Sequence, residues 1–208
     1  MAKAPVAGLA KTRLGAVLGG DAAAALAAAG FLDTLDACAV ADDRILALTG
    51  DLSQASQSEQ IQAGLTGWTI VAQRGEGFAE RLANAHRDAG PGPVIQIGTD
   101  TPQVSSSHLE AVASALNGHD AVLGEATDGG WWVLGRHDPE HAQALVGVPM
   151  STNSTGSATR AALVALGLRV GSTAMLRDVD TIEDAQIVAA QAPRTRFAAQ
   201  WAQAWGQR

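Results

Sequence analysis

Lysine is almost missing from this chain. Only Lys3 and Lys11 occur in 208 residues, both within the first eleven positions. Tyrosine is absent and aromatic residues make up 4 %; with abundant alanine and glycine this reflects a GC-rich coding bias more than a function. The single cysteine, Cys38, excludes an internal disulfide framework and reads as a small, inert, buried hydrophobe. Positive charge is scarce as well. A net charge of −7 and a pI near 5.1 argue against a nucleic-acid partner, because phosphate backbones demand basic stripes. No run of about 18 apolar residues stands out, so no membrane span is expected. Nothing resembles a signal peptide at the start, so a cytoplasmic location is expected.

What is present is concentrated. Lys3, Pro5, Gly8, Lys11, Thr12 and Arg13 crowd one Pro/Gly-punctuated loop. Such a loop frees backbone N–H groups, and its cations turn it into a cradle for anions. A phosphate chain is the expected cargo; the competing reading is a solvated basic terminus. Glycine does not precede Lys11, so this is not a Walker A loop, and no Gly-x-Gly-x-x-Gly occurs here.

At 208 residues and 47 % hydrophobic, the chain can bury one substantial core, and 1–208 reads as a single domain. Helices are expected from Asp21 to about Val40, from Gly77, from about Ser106, over Thr155–Leu166 and Thr181–Ala190, and from about Thr195. In the helix from Gly77, Phe78, Leu82 and Ala85 share a face. Strands are expected over Arg44–Thr49, Trp68–Ala72, Val94–Ile97, Ala121–Leu123 and Trp131–Leu134. Short strands alternating with helices favour an α/β domain with a mostly parallel sheet. Only Met1-Ala2 precede the basic loop, where a strand is expected, so the start reads as incomplete. In the last helix Phe197, Trp201 and Trp205 form a stripe that docks onto the domain or onto a twofold partner, so a homodimer is among the expectations.

Asp100 directly follows the apolar strand Val94–Ile97. Carboxyl ends of strands line the ligand crevice of α/β sheets, so Asp100 is placed to hold a divalent cation. Asp178-Val179-Asp180-Thr181 brings alternating carboxylates to a helix start. There Asp180 is either a second metal ligand or, with Thr181, a helix cap. Oxygen ligands suit Mg²⁺ or Mn²⁺. Asp128-Gly129-Gly130 reads as a tight turn, with Trp131 and Trp132 beyond; it either admits a sugar or base or simply reverses a hairpin. Ser151 and Thr152 precede a helix and either donate to an anion or cap it.

These motifs, in this order, resemble the glycosyltransferase-A-like family of radical-SAM/selenodomain-associated transferases, over nearly the whole chain. The resemblance implies the three-layer nucleotide-diphospho-sugar transferase (GT-A) fold. It also implies that Lys11 and Arg13 hold a triphosphate while Asp100 and Asp180 hold magnesium. Leu9 stands where members often carry arginine, and Trp131-Trp132 replaces a tyrosine pair. The expected activity is Mg²⁺-dependent nucleotidyl transfer from an NTP to a phosphorylated sugar-like acceptor. On that reading Lys11 and Arg13 are catalytic and Asp128, Gly129, Gly130, Trp131, Ser151 and Thr152 bind substrate. The rivals are a glycosyltransferase using a nucleotide sugar and a non-catalytic nucleotide-binding module.

Overall fold

Alanine, a residue that costs a helix no side-chain entropy, builds the first long element of the computed structural model, which describes residues 1–206. Gly20–Ala37 forms α2, with a single 3₁₀ turn, Cys38–Val40, after it. Gly20–Val40 is long and apolar enough to cross a membrane by length and composition, contrary to the expectation that no stretch is. In this fold it is a core helix, with 61 % of its most apolar window buried. Cys38 lies half-buried, and burial pushes its thiol pKa up.

The chain packs as two compact units. One comprises Ala2–Thr69, Thr99–Ser106 and the chain from Arg177 onward. Its short first strand, β1 (Ala2–Lys3), pairs in parallel with β2 (Ile45–Thr49). The basic loop is therefore entered from a strand after all, though one of two residues. The helices here are α1 (Thr12–Leu18), α2, α3 (Ser58–Gly64), α7 (Ile182–Gln191) and α8 (Arg196–Gly206). Leu14, Leu26, Val179, Val188, Phe197 and Trp201 share one core. The α8 stripe thus docks onto its own unit, while Trp205, 42 % exposed, stacks on Trp201 with ring centroids 5.1 Å apart. Asp33 of α2 secures the junction by accepting from the backbone N–H groups of Arg196 and Phe197, each at 2.9 Å.

The other unit holds Met1, Ile70–Gly98 and Ser107–Leu176. Its four-stranded sheet has the order β4 (Val94–Ile97), β6 (Trp131–Arg136), β5 (Ala121–Glu125), β7 (Val170–Ser172). Strands β5 and β7 are parallel, and β6 runs antiparallel to both neighbours. The inversion follows from the tight Asp128-Gly129-Gly130 turn, since a short reversal can join only antiparallel strands. Helices α4 (Phe78–Asp88), α5 (Ser106–Leu116) and α6 (Thr155–Ala165) accompany the sheet. Leu109, Val112 and Leu116 of α5 point inward as their spacing predicts, whereas Phe78 of α4 is 46 % exposed. It sits on the first turn of its helix, with the Arg81 guanidinium over its ring. Strand β3 (Thr69–Ala72) begins where Thr69 donates its N–H to Arg44 O.

One polar pair is sealed in this unit. Arg136 and His86 are both fully buried. Arg136 donates through Nε to His86 Nδ1 at 3.2 Å, and through Nη1 to Gly92 O at 2.8 Å. Burial, reinforced by the Arg136 charge, pushes the His86 pKa down to about 3. A lowered histidine pKa means the unfolded chain binds the extra proton first, so stability declines as pH falls below about 6.5. We expect urea unfolding to lose about 1 kcal/mol between pH 7 and pH 5.5. His86→Leu should flatten that slope; a slope unchanged in the variant would contradict the assignment.

Candidate active site

The basic loop is a folded object rather than an open cradle. Val6 donates its N–H to Ala4 O, and Leu9 and Ala10 both donate to Val6 O. Those three N–H groups therefore close the loop instead of waiting for an anion, as a free loop would leave them. Gly8, at φ 75°, makes the reversal. Lys3 donates to Leu9 O at 2.8 Å, stapling the loop. Pro5 is buried and accepts from Ser56 N–H at 2.9 Å. Of the six loop residues, Lys3, Pro5 and Gly8 shape the loop, and Thr12 and Arg13 stand exposed on the first turn of α1.

Lys11 is different. It precedes α1 with φ 48° and ψ 50°, a left-handed conformation that costs a side-chain-bearing residue about 1 kcal/mol or more. Its side chain, 12 % exposed, turns to the strand-end loop and the late acidic segment. Nζ contacts Asp100 Oδ1, donates to Val179 O at 2.5 Å, and lies 3.5 Å from Asp180 Oδ1. Arg13 Nη1 sits 3.4 Å from Asp180 Oδ2. Four residues chosen from the sequence thus meet at one point: Lys11, Arg13, Asp100 and Asp180. Beneath them, Leu14, Leu26, Gly30, Pro102 and Phe197 line a small recess that opens to solvent.

The double reading of Asp180 now separates. Thr181 is the cap of α7: its hydroxyl accepts from Asp184 N–H at 3.2 Å, while Asp184 Oδ2 accepts from Thr181 N–H at 3.0 Å. This reciprocal capping box leaves the Asp180 carboxylate to face Lys11 and Arg13. The segment is pinned further by Val179 N–H donating to Asp100 O at 2.8 Å, and by Gln103 Nε2 donating to Arg177 O at 2.5 Å. Arg177 closes the frame on Asp184 at 2.7 Å. Sequence reading passed over Gln103, Arg177 and the Val179 carbonyl. The capping box itself was readable in Thr181-x-x-Asp184.

Among the described residues no three His, Cys, Asp or Glu side chains gather as a metal site. The two carboxylates and one carbonyl at Lys11 are nevertheless a hard-oxygen set. Mg²⁺ is commonly held by one or two carboxylates with substrate phosphates completing its shell, so the donor set fits such an ion.

In the other unit, the turn and the hydroxyl run meet. Gly129 O accepts from Gly156 N–H at 2.8 Å, and Gly130 N–H donates to Asp128 Oδ1 at 2.7 Å. At Gly129, φ 89°, an added Cβ would lie 2.0 Å from Asn153 O, so only glycine permits the crossing. Ser151 and Thr152 stay exposed beside it, and Thr152 Oγ1 lies 3.2 Å from the hydroxyls of Ser154 and Thr155. Trp132 is core, donating Nε1–H to Ala174 O at 2.9 Å, and Trp131 is half-buried against the same unit's core.

On an α/β scaffold, cations and carboxylates converge here at the carboxyl end of a strand, the edge where ligand crevices of such sheets lie. The chain belongs to the family described as uncharacterized protein conserved in bacteria (DUF2064), whose pattern matches residues 32–152. It resembles a solved candidate nucleotide-diphospho-sugar transferase from Desulfovibrio desulfuricans G20, with TM-score 0.83 and 26 % identity over 95 % of this chain and 90 % of that one. The two share one α/β fold. Rv0371c from Mycobacterium tuberculosis H37Rv matches at TM-score 0.52 and 19 % identity over 90 % of this chain and 95 % of that one, a likeness of fold. No curated protein matches the sequence.

Asp184 yields a test of the frame. Burial pushes its carboxyl up, but hydrogen bonds from Thr181, Arg177 and the Asp180 N–H outweigh it and hold the pKa below the usual carboxylate range. A depressed carboxylate stabilises above its unfolded pKa, and that stabilisation is lost as pH falls through the folded value. Asp184→Asn should therefore cost about 1–2 kcal/mol at pH 7 and progressively less in acid, read by denaturant unfolding. A pH-independent cost would contradict the ionised capping box.

Proposed function

We propose that the protein is a Mg²⁺-dependent nucleotide transferase, and that it carries out nucleotidyl transfer from an NTP to a phosphorylated, sugar-like acceptor. One observation carries the reading: Lys11, Arg13, Asp100 and Asp180 converge, two cations and two carboxylates from three separate segments. The likeness to the Desulfovibrio protein supports a nucleotide-related transferase in general terms. So does the resemblance of its ordered motifs to those of the radical-SAM/selenodomain-associated transferases of GT-A type.

Asp100 and Asp180 would hold the metal, which when bound neutralises charge on the reacting phosphate oxygens. Arg13, exposed on the first turn of α1, would meet the phosphates, and Lys11 would join it to stabilise the charge that builds as pyrophosphate leaves. An acceptor phosphate is already nucleophilic, so no strong general base is required. Trp131, Ser151 and Thr152 carry indole and hydroxyl groups of the kind that suit a sugar-like acceptor, while the glycine backbone of the Asp128-Gly129-Gly130 turn is already hydrogen-bonded.

The second reading, glycosyl transfer from a nucleotide sugar, is favoured by the description of the Desulfovibrio protein. Against it, that chemistry commonly uses a carboxylate-x-carboxylate pair at the strand end, and Gly98-Thr99-Asp100 supplies one carboxylate.

Two variants test the proposal. Asp100→Asn should abolish Mg²⁺-dependent nucleotide binding without loss of fold; unchanged Mg²⁺ dependence would contradict it. Lys11→Ala should weaken NTP–Mg²⁺ binding by about ten- to a hundredfold, the worth of one charge-assisted contact. Tighter binding of nucleotide sugars than of any NTP, with no pyrophosphate released from a panel of sugar phosphates, would favour glycosyl transfer.

A further inference from the structure

The Lys11 ammonium has three N–H donors and three oxygen neighbours, Asp100 Oδ1, Val179 O and Asp180 Oδ1. In this arrangement no donor is left over for a phosphate. The same three oxygens are the hard donor set that would take a divalent cation. An ammonium and a divalent cation cannot share that point, since both are positive and both would need the same lone pairs.

The surroundings favour exchange rather than a permanent lock. The Lys11 side chain is 12 % exposed, whereas those of Asp100 and Asp180 are 60 % and 46 % exposed. The lysine reaches the point from the protein side, and the carboxylates open to the solvent from which a cation arrives. Arg13 already partly offsets Asp180 from outside. The pinned Val179 and Asp100 backbones keep the oxygens assembled by hydrogen bonds that do not involve the lysine.

We propose that Lys11 is a resident placeholder for the metal. Without nucleotide its ammonium neutralises Asp100 and Asp180 and keeps free divalent cations out. A metal–nucleotide complex displaces it, because the incoming phosphates give the ammonium a new anionic partner as the cation takes the carboxylates. Metal and nucleotide binding are then positively coupled through one side chain, and each raises the affinity for the other equally. The inference rests on the reading of Asp100 and Asp180 as metal ligands.

The test is Mn²⁺ binding, followed by the electron paramagnetic resonance signal of free Mn²⁺ and by thermal melting. MnCl₂ is titrated alone and then with ATP, CTP, GTP or UTP in turn. Lys11→Met and Lys11→Gln should bind Mn²⁺ alone about ten- to a hundredfold more tightly than wild type, and should gain a larger Mn²⁺-induced rise in Tm. With the preferred NTP present, wild type should gain Mn²⁺ affinity and the variants should gain little. Equal affinity for Mn²⁺ alone in wild type and both variants would overturn the placeholder while leaving the metal reading intact. Mn²⁺ bound by none of the three proteins, with or without NTP, would overturn both.

Discussion

Everything proposed about this site depends on one ammonium held by two carboxylates and a carbonyl. Asp100 comes from the loop after β4, Asp180 from the segment before α7, and Lys11 from the turn into α1. Without a cation between them the two carboxylates would repel. With one, three distant stretches of chain are drawn to a single point. A surface ion pair in water is worth about 0–1 kcal/mol. Here the lysine is largely withdrawn from solvent and makes several charge-assisted contacts, so the arrangement is expected to be worth more.

The site's support is local and made of ordinary parts. A capping box fixes the start of α7 and leaves Asp180 unclaimed by the helix. Two hydrogen bonds tie the segment around Val179 to the loop around Asp100. The apolar floor, from Leu14 to Phe197, then belongs to the same core that docks α8. Packing and chemistry share residues, so the geometry of the charged cluster follows from how α1, α2, α7 and α8 pack.

Much of this was legible in the sequence, for identifiable reasons. Val94–Ile97 is a compact apolar run closed by Gly98, and its strand appears with those bounds. Leu109, Val112 and Leu116 recur with helical period, and they are buried. The clustering of both lysines marked the loop. What escaped was whatever depends on long-range pairing. Nothing local distinguishes Lys3, which staples a carbonyl, from Lys11, which reaches across 168 positions to Val179 O. Helix α1 hid within an Ala/Gly-rich stretch where propensity and turn signals conflict. The antiparallel setting of β6 is fixed by the geometry of the turn before it, which apolar spacing does not reveal. The buried Arg136–His86 pair was equally silent, since each residue alone reads as a surface group.

The central claim is that one oxygen-lined point accepts either the Lys11 ammonium or a divalent cation, and that nucleotide decides between them. A crystal structure of the wild-type chain with Mn²⁺ and a non-hydrolysable NTP analogue, with anomalous data at the manganese edge, examines it directly. The account predicts an anomalous peak about 2.0–2.3 Å from oxygens of both Asp100 and Asp180, with Lys11 Nζ moved onto a phosphate oxygen. A bound analogue with Lys11 still seated on Asp100 and Val179, and manganese elsewhere, would contradict it.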